Sequence, residues 1–86
     1  MTLNKEDLKN KIIYRSSYRG TKEMDLLVLS FVQNIIDKLD YDELLILDGC
    51  INLDDENLLK IINKIKYLGL QNKNIIKFMN DSLIKK

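Results

Sequence analysis

Apolar residues in this chain recur at three- and four-residue steps, and no stretch alternates with period two. The clearest stripe is Met24, Leu27, Val28, Phe31, Ile35 and Leu39, which puts one face of a helix in a core. Leu26 and Leu29 widen the stripe and predict burial on more than one side. Ahead of it, Leu8, Ile12, Ile13 and Tyr14 follow Asn4, an N-cap residue with Asp7 three positions on. That first helix is expected to end near Tyr18 or Arg19, with Gly20 free to take positive φ and Thr21 capping the second helix. Asp40 and Glu43 have capping-box spacing and open a third helix carrying Leu44, Leu45 and Leu47. Gly49 is expected to close that helix or loosen its last turn.

Asp54 caps a fourth helix with Leu58, Leu59, Ile61, Ile62 and Ile65, which Gly69 ends. Asn72 or Asn74 begins a fifth, with Ile75, Ile76, Met79 and Leu83 on one face. The fold class expected is therefore all-α, five short helices around one core, with residues 1–86 forming a single domain. Leu27, Val28, Phe31, Ile35, Leu44, Leu58, Ile61 and Ile65 are its expected core.

Composition narrows the chemistry. Without histidine there is no Ser-His-Asp or Cys-His nucleophile system, and one cysteine with no histidine removes the usual zinc sites. Three scattered glycines build neither a P-loop nor a dinucleotide fingerprint. An EF-hand loop ending at Asp48-Gly49 needs acids where Leu44 and Ile46 stand. Asp54, Asp55 and Glu56 sit at a helix start, where negative charge favours the dipole, and are read as structural. The expected protein is not an enzyme; it binds.

Cys50 has no internal disulfide partner, which favours a reducing compartment and reads as a small buried hydrophobe. Residues 1–10 are polar and mixed in charge, unlike a signal or transit peptide, and no apolar run approaches the roughly 20 residues that span a bilayer. A soluble, cytoplasmic protein is expected, or a mitochondrial matrix one only if a transit peptide has been removed. The net charge of +1 is unevenly spread: residues 37–56 hold eight acids against one lysine, and residues 60–86 hold seven lysines against Asp81. Such runs are ordinarily solvated faces.

One stretch departs from the rest. Of fourteen cationic residues only Arg15 and Arg19 are arginines, and both fall in Arg15-Ser-Ser-Tyr-Arg-Gly-Thr-Lys-Glu-Met-Asp25. A lysine-biased chain keeps arginine where a planar fork of donors, or a flat cation, does what an ammonium cannot. The same residues also read simply as a helix end at Gly20 and a helix start at Thr21.

Arg19-Gly20-x-x-Glu23-Met24-Asp25, followed by Leu26-Leu27 and Phe31, resembles the signature of the small flavinylation factors of succinate dehydrogenase. This family is called SdhE in bacteria and succinate dehydrogenase assembly factor 2 in mitochondria. The similarity covers about residues 8 to 66 and is sharpest over 15 to 31. A second family block, D-x-D-L-x-x-W, is degraded: Asp55 and Leu58 remain, Asn57 replaces the second acid and Ile61 stands at the tryptophan position.

The resemblance implies an all-helical assembly chaperone. Its partner would be the flavoprotein subunit of succinate dehydrogenase, and also that of fumarate reductase, and it would promote covalent attachment of FAD there. The chain itself is expected to bind no FAD, having no phosphate-cradling loop and a core of its own to bury, to be a monomer, and neither to enter a membrane nor to bind nucleic acid. The residues carried over as partner-binding are Arg15, Tyr18, Arg19, Gly20, Glu23 and Asp25. Gly20 would let the backbones approach, and Arg19 would offer its fork to a partner carboxylate or carbonyls. Glu23 would accept from partner donors or bond back to nearby amides, with Tyr18 and Arg15 framing the contact.

Two other classes stay open at this point. Lys60, Lys64, Lys66, Lys73 and Lys77 admit a small helical nucleic-acid binder, although no arginine accompanies them and the acidic middle repels phosphate. A generic protein-interaction module is the other.

Overall fold

The computed structural model describes residues 4–71 and 73–84. Among these residues the fold is all-α, with five helices: α1 (Lys5–Ser17), α2 (Lys22–Ile35), α3 (Tyr41–Ile51), α4 (Asp55–Leu68) and α5 (Lys73–Ile84). A single 3-10 turn, Ile36–Lys38, extends α2. Helix α1 packs against α2 and α3, and α5 against α3 and α4, so α1 and α5 are each held by two others.

The helix starts are set by side chains that satisfy amides left without helical partners. Asn4 Oδ1 accepts from the Asp7 amide at 2.7 Å, and Thr21 Oγ1 from Met24 at 3.2 Å. Asp54 Oδ1 accepts from Asn57 at 2.9 Å. Asp40 and Glu43 form the reciprocal capping box, each side chain accepting from the other's backbone. Helix α5 starts at Lys73, with Asn74 inside it; Asn72 lies outside the described residues.

Val28, Phe31, Ile35, Leu44, Leu58, Ile61 and Ile65 are buried as expected, while Leu27 is half-buried and packs against the core from its edge. Leu8, Ile12, Val32, Ile36, Leu39, Leu47, Ile51, Ile62, Ile75, Ile76 and Met79 are buried with them. Cys50 is fully buried among them, and burial pushes its thiol up to about 11, so it is protonated at neutral pH. It behaves as the small hydrophobe expected.

Two expectations are corrected. Leu26 is 61% exposed, so α2 is not buried on a second side there. At 3.6 residues per turn it stands about 200° around the helix from Val28, which is at the centre of the buried face. Gly49 neither ends nor loosens α3, which continues to Ile51. A Cβ there would lie 3.1 Å from Leu83 Cδ1 of α5. Its lack of a side chain leaves room for Leu83, a contact made across the core and not along the chain.

Candidate functional site

The α1–α2 corner is where the two arginines lie. Helix α1 ends at Ser17, with Tyr18 as its C-cap, and Gly20 turns the chain with φ 113° before Thr21 caps α2. That φ lies beyond the left-handed well that asparagine tolerates, so glycine is required by the backbone. An added Cβ would meet no atom within 4 Å. The requirement is conformational, and the space outside Gly20 is open.

Arg19 uses its whole planar fork, and uses it on its own chain. Nε donates to Asp55 Oδ1 at 3.0 Å and Nη2 to the Leu53 carbonyl at 2.8 Å, while Nη2 also lies 2.9 Å from Asp55 Oδ1 as an ion pair. Nη1 donates to the Ile51 carbonyl. Ile51 ends α3, so its carbonyl is one of those a helix leaves without an internal partner, and a cation there complements the dipole. The arginine side chain is only 10% exposed. A lysine ammonium lacks the geometry to reach three acceptors spread over the α3–α4 turn.

Arg15, exposed on α1, donates through Nη1 to Asn52 Oδ1, and Asn52 is the C-cap residue of α3. Both arginines of the chain therefore grip the same turn, residues 51–55, more than 30 residues away in sequence. On the other side of the corner, Asp25 accepts from the Arg19 backbone amide. It is thus Asp25, not Glu23, that bonds back across the turn.

The six residues carried over from the family signature separate accordingly. Arg15, Arg19 and Asp25 make bonds within the chain. Tyr18, Gly20 and Glu23 are exposed, and among the described residues nothing bonds or pairs with the Glu23 carboxylate. Tyr18 is 71% exposed and lies against Tyr14, with ring centroids 4.8 Å apart at 47°. The outward surface of the corner thus carries a bare backbone stretch, the Glu23 carboxylate, the exposed Lys22 ammonium beside it and a pair of phenol rings. It offers hydrogen-bond donors and acceptors and flat apolar area.

Sequence reasoning missed Asp55, Asn52 and the Ile51 and Leu53 carbonyls as partners of the arginines. The only signal was complementary charge, two arginines in one segment and Asp54-Asp55-Glu56 in another, with nothing to pair them across that separation. Asp54 and Asp55 do have the structural roles expected, as cap and first-turn acid.

The late lysines Lys60, Lys64, Lys66, Lys73 and Lys77 are exposed, Lys60 facing Glu56 at 3.7 Å and Lys64 lying over the Tyr67 ring. No helix among the described residues is long and apolar enough to cross a membrane.

A comparison with family models matches residues 10–82 to Sdh5, flavinator of succinate dehydrogenase. The match spans both the Arg-Gly corner and the α3–α4 turn that it grips. Comparison with curated proteins and with solved structures gave no match.

Proposed function

Because this chain belongs to the Sdh5 family, the flavinators of succinate dehydrogenase, we propose that it binds the flavoprotein subunit of that enzyme and promotes covalent attachment of FAD to it. The flavoprotein of fumarate reductase is a second client of the same kind. The α1–α2 corner is the contact, with Gly20, Glu23 and Tyr18 meeting the partner and Arg15, Arg19 and Asp25 holding them in place. The observation that carries this reading is the free, exposed Glu23 carboxylate beside a glycine whose outer side is open.

A bare backbone lets a partner chain come within hydrogen-bonding distance, and an unpaired carboxylate is available for a charge-assisted bond there. The factor acts by orienting the flavoprotein; the flavin and the reacting groups belong to the client. It works as a monomer, retains no flavin and is not itself an enzyme. Co-expression of the flavoprotein with the wild-type chain, Gly20→Ala and Glu23→Ala, followed by denaturing electrophoresis and in-gel flavin fluorescence, tests this. Full covalent flavin with both folded variants, or none that depends on the wild-type chain, overturns it.

A further inference from the structure

We infer that Asp55 and Arg19 form a clamp that sets the position of the α1–α2 corner, so that Asp55, on a different helix, is a positioning residue for the client contact. The inference rests on the corner being that contact, as proposed above, but its structural half is read independently of any client.

Three observations carry it. Arg19 sits between two groups of bonds: its guanidinium is bound by Asp55, Leu53 and Ile51, and its backbone amide by Asp25 at the start of α2. One residue thus ties the α3–α4 turn, the end of α1 and the start of α2 together. Gly20 follows immediately, where an added Cβ would meet no atom within 4 Å. Thr21 capping and the Arg19 bonds are what hold it between the two helices. Finally, the guanidinium is already engaged, with Nε donating to one carboxylate oxygen and Nη1 and Nη2 to two carbonyls. Turning it toward a client would break these bonds and leave the Ile51 carbonyl without its donor.

The clamp and direct contact predict opposite results for one substitution. If Arg19 reached the client itself, Asp55→Asn would weaken a competing internal bond and leave client binding unchanged or stronger. If Arg19 works as a clamp, the same change loosens the corner and weakens binding.

The experiment compares wild type, Asp55→Asn, Arg19→Lys, the double variant and Asp55→Glu. Glu56→Gln is the control, one residue along and on the surface, where it pairs with Lys60. In the isolated chain, ¹⁵N–¹H spectra follow the Arg19 Nε–H and the Gly20 and Glu23 amides. With the co-expressed flavoprotein, covalent flavin is read alongside the melting curve of each variant. Asp55→Asn is expected to shift all three resonances and to lower covalent flavin about fivefold, the low end of ordinary coupling between sites. Asp55→Glu is expected to recover part of it, the double variant to lose no more than Arg19→Lys alone, and Glu56→Gln to match wild type.

Unshifted corner resonances in Asp55→Asn overturn the clamp whatever the client does. Undiminished flavin in Asp55→Asn, while Glu23→Ala still lowers it, overturns the positioning role and leaves the proposed function standing. Losses that multiply in the double variant also overturn it, since they assign the two residues separate tasks. If flavin is insensitive to Glu23→Ala and Gly20→Ala as well, the proposed function fails and the positioning role fails with it.

Discussion

Gly20 and Gly69 both carry positive φ at helix–helix corners, and both have open space where a Cβ would go. Gly69, at φ 68°, is in the ordinary left-handed well, and its corner is closed by its own neighbours. Its amide donates to the Lys66 carbonyl at 3.2 Å, and the Leu70 amide donates to Ile65 at 3.2 Å, while Leu70 folds onto the core. This is the Schellman arrangement, a stop signal written within six residues. Gly20, at φ 113°, has no such local ladder. Its corner is held by a guanidinium reaching over 30 residues ahead and by the side chain of Asp25. One corner ends a helix; the other is built as a braced platform, with its exposed side left free.

Removing the brace is expected to have the largest effect. Arg19→Ala leaves the Ile51 and Leu53 carbonyls without their charged donor and is expected to cost about 2–3 kcal/mol in urea unfolding. Arg19→Lys should return only a part. An Arg19→Ala melting curve that overlaid the wild type would reduce the corner to Thr21 and Asp25 and erase the contrast with Gly69.

The glycines themselves come next. Gly20→Ala is expected to cost about 1–3 kcal/mol, because its φ is outside every well a side chain favours, and Gly69→Ala about 1–2 kcal/mol. Asparagine sharpens the difference, being accepted in the left-handed well and not beyond it. Gly69→Asn should unfold close to wild type, whereas Gly20→Asn should stay destabilised. Equal midpoints for the two asparagine variants would show that both corners relax to the same backbone.

The smallest effect on stability is expected at Glu23. With no bonded or paired group in the fold to lose, Glu23→Ala should change unfolding by less than about 0.5 kcal/mol. Covalent flavin on the client should nevertheless fall. A substantial loss of stability instead would make Glu23 part of the brace and leave the corner without its free carboxylate.

Most of the fold was legible along the chain because it is specified by short-range rules. Asn4, Thr21, Asp40 and Asp54 each cap within three residues, and Gly69 closes α4 within its own last turn. The three-and-four spacing of Val28, Phe31, Ile35, Ile61 and Ile65 identifies buried faces without reference to what they are buried against. The family signature was legible in the same way, since its residues stand side by side from Arg19 to Asp25.

What the tertiary structure alone decided depends on residues far apart in sequence. The pattern of α2 offered Leu26 to the core, but the face that packs is the one centred on Val28, and Leu26 is exposed. Gly49 looked like punctuation until Leu83, on another helix, took the space of its missing Cβ. Arg19 was marked as special by its rarity and its neighbours, yet whether a fork of donors turns outward or inward depends on which acceptors the fold brings within about 3 Å. Here the end of α3, the connection after it and the first turn of α4 supply one each, an arrangement that exists only after the helices have packed.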